Sequence, residues 1–302
     1  MKIQVCILNP KKTIENPSIK ILQKHFDEIT VYTRNFYSFS DARNKCIDRT
    51  ADYVIRFDAD EEIDENSVVQ LKQDMLGSLV YAKFQFIVGE YSWVDGFKLI
   101  SHPTTCSYVG PAHETLVCDD VIKRIYDDNV VLIHKKSVYD YYYSMARTYY
   151  LTVPDIELRK IIGGEVTIDK FRKIVKSPTK ELKNWAEKQT SCDERRAFYY
   201  LIFGDIPNDG CALDPPYYAE IANKLYEKVK IYDPYLVYYV ATHPQLNIDR
   251  IAELNRIYMH LLGRPIDASG LNTYYNTPND KVVEAVINSI YRKIENIPPI
   301  SS

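Results

Sequence analysis

The sequence lacks several features that mark whole classes of protein. No stretch of its 302 residues approaches the ~18 apolar residues of a membrane-spanning helix, and the apolar run near its start is too short for a signal peptide. Basic residues are not in excess either, because 38 Lys and Arg stand against 41 Asp and Glu, a net charge of −3. This balance argues against a broad basic surface for nucleic acid. We therefore expect no transmembrane segment and no nucleic-acid partner.

Cysteines at metal-site spacing are also lacking. The six cysteines are scattered at positions 6, 46, 106, 118, 192 and 211, and no two of them form a C-x-x-C motif. That scatter favours buried free thiols over a disulfide framework or a zinc site. Since free thiols persist in a reducing compartment, the pattern predicts a cytoplasmic protein.

The chain does contain the composition of an ordinary globular protein, with 46% apolar and 26% charged residues. At ~150 residues per domain, its length predicts about two domains. Strand and helix patterns alternate in the first half and then give way to helical spacing. We predict an α/β domain at 1–138, a helical region at 139–246 and a small helical module at 247–302.

A cluster of acids follows a predicted buried strand in the first half. Tyr53 to Phe57 is an apolar run of β-branched and aromatic residues, and Asp58, Asp60, Glu61 and Glu62 follow it directly. The carboxyl end of a strand in an open α/β sheet borders the crevice where such sheets bind ligands. Hard divalent cations take oxygen ligands, commonly one or two carboxylates together with substrate phosphates. The position of these acids predicts a metal–diphosphate site.

A helix pattern precedes this strand, and helix, strand and acids together resemble glycosyltransferase family 2. The resemblance rests on an S-x-x-R-N helix, a strand and then D-A-D-E, and it continues more weakly through His113-Glu114 and His134. The residues that carry it are Phe39, Ser40, Ala42, Arg43, Asn44, Asp58, Ala59, Asp60 and Glu61. It covers about the first half of the chain. It implies the GT-A fold, a Rossmann-like and mostly parallel sheet flanked by helices, followed here by an α-helical C-terminal region.

The resemblance implies a metal-dependent, inverting transfer of a sugar from a nucleoside-diphosphate sugar to a hydroxyl acceptor such as a glycan. A UDP-sugar is the favoured donor, and Mn²⁺ or Mg²⁺ is the expected cofactor. Asp60 is the implied metal ligand, and Asp58 would contact the metal, a metal-bound water or the ribose. His134, at the end of a later strand, would complete the metal shell. Arg43 would lie near the diphosphate, and Asn44 would support the turn or the nucleotide.

The chain departs from the family pattern after its second predicted strand. Family members carry an Asp-rich D-x-x-S-x-D segment there, whereas this chain runs almost directly into the S-x-x-R-N helix. Thr33 and Arg34 are therefore the nearest residues for contact with the nucleotide. Lys98 stands where family members have an arginine, in the strand before the H-E pair.

Inverting transfer also needs a carboxylate that takes the proton from the acceptor hydroxyl. Such a base works best when its pKa lies near neutrality, and burial near other charges can raise the pKa that far. Glu114, of the H-E pair, is the expected base, and Asp95 is the alternative. Either residue could instead be an ordinary loop acid.

The last part of the chain carries a second pattern. The run I-Y-M-H-L-L-G-R-P-I-D-A-S-G-L resembles a small helical module of unknown function that is found beside glycosyltransferases. Gly263 can end one of its helices, and Asp267 can cap the next. We expect this module to act as a scaffold, or as a surface for a protein partner or self-association, rather than in chemistry.

Two other functions fit the acid cluster. A nucleotidyltransferase also uses carboxylates and a metal ion on an α/β sheet. Alternatively, a catalytically inactive GT-A-like protein would bind nucleotide without transfer and recruit partners through its helical half. The shortened segment before the S-x-x-R-N helix favours keeping this last alternative open.

Overall fold

The computed structural model is an α/β protein with a sheet in its first half and helices in its second. The residues that it describes are 1–9, 16–33, 38–110, 115–118, 122–164, 166–189, 192–205 and 210–295. Arg34 and Glu114, two of the expected site residues, lie outside these ranges. Within the ranges, no helix is both long enough and apolar enough to cross a membrane.

The described ranges contain nine strands. They are β1 (Ile3–Leu8), β2 (Glu28–Tyr32), β3 (Tyr53–Asp58), β4 (Glu61–Glu62), β5 (Ser78–Val88), β6 (Tyr91–Pro103), β7 (Ser107–Val109), β8 (Thr115–Val117) and β9 (Lys123–Lys136). Seven of them form a sheet in the order β2-β1-β3-β6-β5-β9-β4, while β7 and β8 pair with each other. The sheet is mixed. β1 runs parallel to β2 and β3, and β5 runs parallel to β9, but β6 pairs antiparallel with both β3 and β5.

Burial explains why the central strands form where they do. Val5 and Ile7 of β1 and Ile55 and Phe57 of β3 are all 0% exposed. Strands that are covered on both faces carry near-continuous apolar runs, as these two do. The α/β class predicted from those runs is confirmed, and the carboxyl end of β3 lies at Asp58.

Thirteen helices complete the described part of the chain. They are α1 (Pro17–His25), α2 (Phe39–Cys46), α3 (Glu65–Asp74), α4 (Val138–Thr152), α5 (Ile156–Ile162), α6 (Ile168–Lys176), α7 (Lys180–Glu187), α8 (Arg196–Phe203), α9 (Pro215–Val229), α10 (Pro234–Thr242), α11 (Ile248–Leu262), α12 (Ala268–Tyr274) and α13 (Asn279–Glu295). The helical C-terminal region is therefore confirmed.

Side chains and glycine set several helix ends as predicted. Asp64 accepts a hydrogen bond from the Ser67 N–H (2.7 Å) at the start of α3, and Asp267 accepts one from the Gly270 N–H (2.7 Å) at the start of α12. α11 ends at Gly263, whose φ of +61° lies in the left-handed region that favours glycine.

One predicted helix start is wrong. The sequence Ser177-Pro178 predicts a helix with Ser177 as its N-cap and Pro178 at its first position, but the N-cap of α7 is Thr179, which accepts from the Leu182 N–H (3.2 Å). A threonine hydroxyl satisfies the free N–H groups of a first turn about as well as a serine does. With two candidates separated only by Pro178, the sequence alone does not decide between them.

The expected free thiols are also wrong, because all six cysteines form disulfides. The pairs are Cys6–Cys46, Cys106–Cys118 and Cys192–Cys211, with Cα–Cα distances of 5.9, 4.3 and 5.2 Å. The partners lie 12 to 40 residues apart in sequence, so no local spacing motif reveals them. Disulfides persist mainly in oxidising compartments. The pairing therefore removes the argument from free thiols for a cytoplasmic protein.

The helical half packs directly against the hairpin of β5 and β6. Val88 and Trp93 from this hairpin share one buried cluster with Leu225 of α9, Leu254 of α11 and Val282 of α13. This packing brings the starts of α10 and α12 to the same cleft as Asp58 at the end of β3.

Candidate functional site

A cleft of about 1370 Å³ opens beside the carboxyl end of β3. Side chains of β5, β6 and β9 line it, together with the starts of α10 and α12. The crevice at the carboxyl ends of strands is where open α/β sheets bind ligands. Asp58, Arg43, Lys98, Asp95 and His134 all line this one cleft, so the structure brings together most of the expected site residues that it describes.

Asp58 is held by two cations. Arg43 Nη2 donates to both oxygens of Asp58 (2.8 and 3.1 Å), and Lys98 Nζ donates to Oδ2 (3.0 Å). Burial raises the pKa of Asp58, but the charges of Arg43, Lys98 and Arg56 outweigh it and hold the pKa well below its usual range. Arg43 is 2% exposed, and its guanidinium binds Asp58 at the wall of the cleft.

Glu61 belongs to the predicted acid cluster, but its side chain is turned into the protein. Its side chain is 0% exposed, and it accepts hydrogen bonds from Lys98 Nζ and from the Asp58 N–H (3.0 Å). These two bonds close the turn that follows β3 and aim Asp60 outward. Glu61 faces inward because β4 pairs with β9, where Glu61 lies opposite His134.

Asp60 and His134 form the open part of the acid cluster. Asp60 Oδ2 and His134 Nε2 are 3.1 Å apart, and the Asp60 side chain is 49% exposed. Burial raises the pKa of Asp60, but the hydrogen bond and charge of His134 prevail and lower it to about 2. The His134 ring stacks on Phe86 with ring centroids 4.8 Å apart, which fixes its orientation.

Asp60 and His134 are also the pair that fits a divalent metal ion. Two ligands at right angles around an ion at about 2.1 Å stand about 3 Å apart, close to the separation of this pair. Asp58 fits less well, since Arg43 and Lys98 already bond its oxygens. Across the described ranges, no group of three or more His, Cys, Asp and Glu side chains is arranged to hold a metal. The pair alone would leave most ligand positions to a diphosphate and water.

Two further cations adjoin this pair. Burial lowers the pKa of Lys136 to about 8, although the negative charge of Asp60 acts to raise it. Lys136 Nζ donates a hydrogen bond to Ser144 Oγ (3.0 Å). Arg147 of α4 also lines the cleft. Burial lowers the pKa of Arg147, and the negative charge of Asp60 acts to raise it. No hydrogen bond or ion pair joins the Arg147 guanidinium to another side chain of the described part. Lys136 follows His134 by two positions, so strand periodicity could have revealed it; Arg147 has no comparable local signal.

Asp95 is an acid of the cleft whose pKa is raised. Burial raises its pKa to about 7, although hydrogen bonds from Trp93 and Tyr218 act in the opposite direction. Trp93 Nε1 and the Tyr218 hydroxyl both donate to Oδ1 (3.3 and 3.4 Å). Its Oδ2 is bonded to no described residue, so Asp95 can accept a proton from a ligand.

Asn44 has hydrogen-bond partners within the protein, whereas Thr33 is characterised by its position at the end of a strand. The Asn44 amide donates to the Tyr108 carbonyl (2.8 Å) and accepts from the Tyr108 N–H (2.9 Å), so it ties α2 to β7. Asn44 therefore supports the local backbone. Thr33 is half-buried and directly follows β2, at the same end of the sheet as Asp58. Arg34 and Glu114 lie outside the described residues.

A scan of protein-family models finds none that matches this chain, and a search of curated proteins finds no matching relative.

Proposed function

We propose that the protein is a metal-dependent, inverting glycosyltransferase of the GT-A type that uses a UDP-sugar. The observation that carries the proposal is the Asp60–His134 pair with Arg147 and Lys136 beside it. A nucleoside-diphosphate sugar presents a charged diphosphate, which a metal ion and a guanidinium together can neutralise. The position of the pair at the carboxyl end of β3 supports a nucleotide as the ligand.

The side chains have separate tasks in this proposal. Asp60 and His134 would hold Mn²⁺ or Mg²⁺, and Arg147 pairs with the diphosphate oxygens. When bound, the metal supplies Lewis-acid neutralisation of the departing nucleoside diphosphate. Arg43 and Lys98 keep Asp58 ionised and oriented at the strand end.

Asp95 is the base in this proposal. Its carboxylate takes the proton from the acceptor hydroxyl as the hydroxyl oxygen attacks the anomeric carbon of the donor sugar. A base with a pKa near 7 is well matched to this step, and the pKa of Asp95 is about 7. Glu114, the base expected from the sequence, lies outside the described residues.

One observation favours a second candidate, a GT-A-like protein that binds nucleotide without transferring sugar. Both oxygens of Asp58 already accept bonds from Arg43 and Lys98, which leaves Asp60 as the acid most open to a metal. A transferase and a binding protein both predict metal-dependent nucleotide binding. They differ in whether a UDP-sugar is consumed in the presence of an acceptor.

The first experiment is a thermal-shift panel of UDP, UDP-glucose, UDP-galactose and UDP-N-acetylglucosamine, each with Mn²⁺ or with EDTA. A ligand that binds only the folded state at 100 times its Kd adds about 2.7 kcal/mol to the free energy of unfolding. We expect a shift with Mn²⁺ that EDTA abolishes. The variant to compare is Asp60→Asn, because replacing Asp58 would also break its ion pair with the buried Arg43.

Asp169→Asn is the matched control, since Asp169 lies on α6 with its side chain 74% exposed. We expect Asp60→Asn to lose most of the Mn²⁺-dependent shift and Asp169→Asn to keep it. Equal shifts in the two variants would refute the assignment of the metal to Asp60. Release of UDP from the preferred donor then identifies sugar transfer, whereas a nucleotidyltransferase would leave the nucleoside phosphate on its acceptor.

A further inference from the structure

The cleft continues beyond the acid cluster into the helical half of the chain. Its wall there includes Asp233 and Tyr235 at the start of α10, and Asp267 and Ser269 at the start of α12. Asp267 and Ser269 belong to the C-terminal pattern that was expected to act as a scaffold. Residues from all three predicted parts of the chain therefore line one cleft.

The size of the cleft leaves room for a second ligand. Pockets that bind one small molecule commonly measure about 300–1,000 Å³. At about 1370 Å³, this cleft exceeds that range. A transferase that brings two substrates together needs this additional space beside its donor site.

The chemistry of the second part differs from that of the acid cluster. Tyr81 lines the cleft and is stacked on Tyr126, with ring centroids 4.6 Å apart, and Tyr235 is 50% exposed. Asp233 Oδ1 accepts from the Tyr235 N–H (2.9 Å), while its Oδ2 is bonded to no described residue. Aromatic rings offer a flat apolar face with a polar tip, and a carboxylate oxygen accepts from hydroxyl groups. This combination matches a sugar, which has an apolar C–H face and a rim of hydroxyls.

A close contact between Gly96 and Tyr232 holds the start of α10 against the sheet. Gly96 of β6 has a φ of +86°, and a Cβ atom there would lie 2.5 Å from the Tyr232 carbonyl oxygen. The same carbonyl accepts from the Phe97 N–H (2.9 Å). Because only glycine permits so close an approach in this conformation, the segment that carries Asp233 lies directly against the strand that carries Asp95.

We propose that Tyr81, Asp233 and Tyr235 form an acceptor subsite that binds a neutral sugar of a glycan. The inference rests on the proposed transfer reaction, in which Asp95 receives the proton of the acceptor hydroxyl. Asp233 and Tyr235 lie on the segment that contacts Gly96, the chain neighbour of Asp95, and Tyr81 lines the same cleft from β5. A sugar bound there can therefore present a hydroxyl to Asp95. The C-terminal helices then help to select the acceptor in addition to supporting the fold.

The test measures sugar binding separately from nucleotide binding. The probes are the p-nitrophenyl β-glycosides of glucose, galactose and N-acetylglucosamine, and contact with the full chain is followed by saturation-transfer NMR. We expect at least one of them to bind, and its Kd to rise tenfold or more in Tyr235→Ala and in Asp233→Asn. Asparagine keeps the acceptor that caps α10, so the second variant preserves the helix start.

Tyr291→Ala is the control, since Tyr291 is 61% exposed on α13 and does not line the cleft. We expect it to leave the Kd unchanged. Unchanged binding in Tyr235→Ala and Asp233→Asn would overturn the subsite, as would a failure of all three glycosides to bind the unmodified protein.

The Mn²⁺-dependent thermal shift with UDP, measured on the same samples, tests the proposed transferase separately from the acceptor subsite. A UDP shift without glycoside binding overturns the acceptor subsite and leaves the donor site standing. Glycoside binding that Tyr235→Ala weakens, without any UDP shift, supports the sugar subsite and overturns the transferase.

Discussion

At the scale of single residues, Asp95 has a protonation state that changes near neutral pH. Its pKa is about 7 in the folded protein and near 3.8 in an ordinary aspartate, because burial opposes its charge. The neighbouring charges oppose each other, since Asp233 raises the pKa and Lys136 lowers it. Between pH 3.8 and about 7 the folded state holds more protons than the unfolded state, so rising pH lowers the free energy of unfolding. Above about pH 7, the effect of Asp95 on the free energy of unfolding no longer changes with pH.

Asp95→Asn should remove that dependence while keeping an acceptor oxygen for Trp93 and Tyr218. We expect the variant to melt clearly above the unmodified protein at pH 8, because the raised pKa corresponds to several kcal/mol and each kcal/mol shifts the melting temperature by roughly 2–4 °C in domains of 150–250 residues. At pH 4 the two should melt nearly together. Scanning fluorimetry at both pH values checks this, with Asp169→Asn as the exposed control. A difference that is the same at pH 4 and pH 8 would contradict a raised pKa at Asp95.

Local pattern predicted some of the site residues and missed others for physical reasons. Asp60 and His134 were predicted from acids and a histidine at strand ends, and the structure brings these ends together through the pairing of β4 with β9. The direction of Arg43 could not be predicted, since it depends on how α2 packs against the sheet. Arg147 was missed because α4 reaches the cleft only through tertiary packing.

At the scale of elements, the contact between β6 and the start of α10 holds the two parts of the cleft together. Alanine at Gly96 would place a Cβ atom 2.5 Å from the Tyr232 carbonyl oxygen, in a backbone conformation with φ of +86°. A positive φ costs a non-glycine residue roughly 1–2 kcal/mol. The clash should also break the hydrogen bond from the Phe97 N–H, which contributes about 1 kcal/mol.

We therefore expect Gly96→Ala to lower the free energy of unfolding by about 2–4 kcal/mol. Gly77→Ala is a matched control, because Gly77 has a φ of +69° and no atom within 4 Å of an added Cβ. It should cost only the roughly 1–2 kcal/mol of the backbone conformation. Urea unfolding measures both variants. Equal losses would show that the close approach to Tyr232 contributes nothing.

The bounds of β9 show how much of a strand its apolar residues can predict. The apolar run Val130 to Ile133 predicted a short strand, and the structure extends it over Lys123–Lys136. The residues before Val130 are mostly polar, and they are held in the strand by pairing with β5, on the other side of a register shift. Such pairing is long-range, so the run of apolar residues reveals only the buried end of the strand.

At the scale of the whole molecule, the disulfides connect elements that are distant in sequence. Cys6–Cys46 joins β1 to α2, and Cys192–Cys211 joins the segments that precede α8 and α9. The sequence predicted a sheet half and a helical half, but it could not predict these connections. Pairing depends on which side chains the fold brings within reach, and scattered cysteines with no local spacing leave that open.

The length of the loop that a disulfide closes predicts how much the disulfide adds to the free energy of unfolding. In the chain-entropy treatment, closing a loop of about 40 residues stabilises by about 4 kcal/mol and one of about 12 residues by about 3 kcal/mol. We expect Cys6→Ala with Cys46→Ala to lower the free energy of urea unfolding more than Cys106→Ala with Cys118→Ala does. Thiol titration of the unfolded but unreduced protein, made under oxidising conditions, should detect no free thiol. Six titratable thiols, or a larger loss from the shorter loop, would contradict these pairings or their entropic basis.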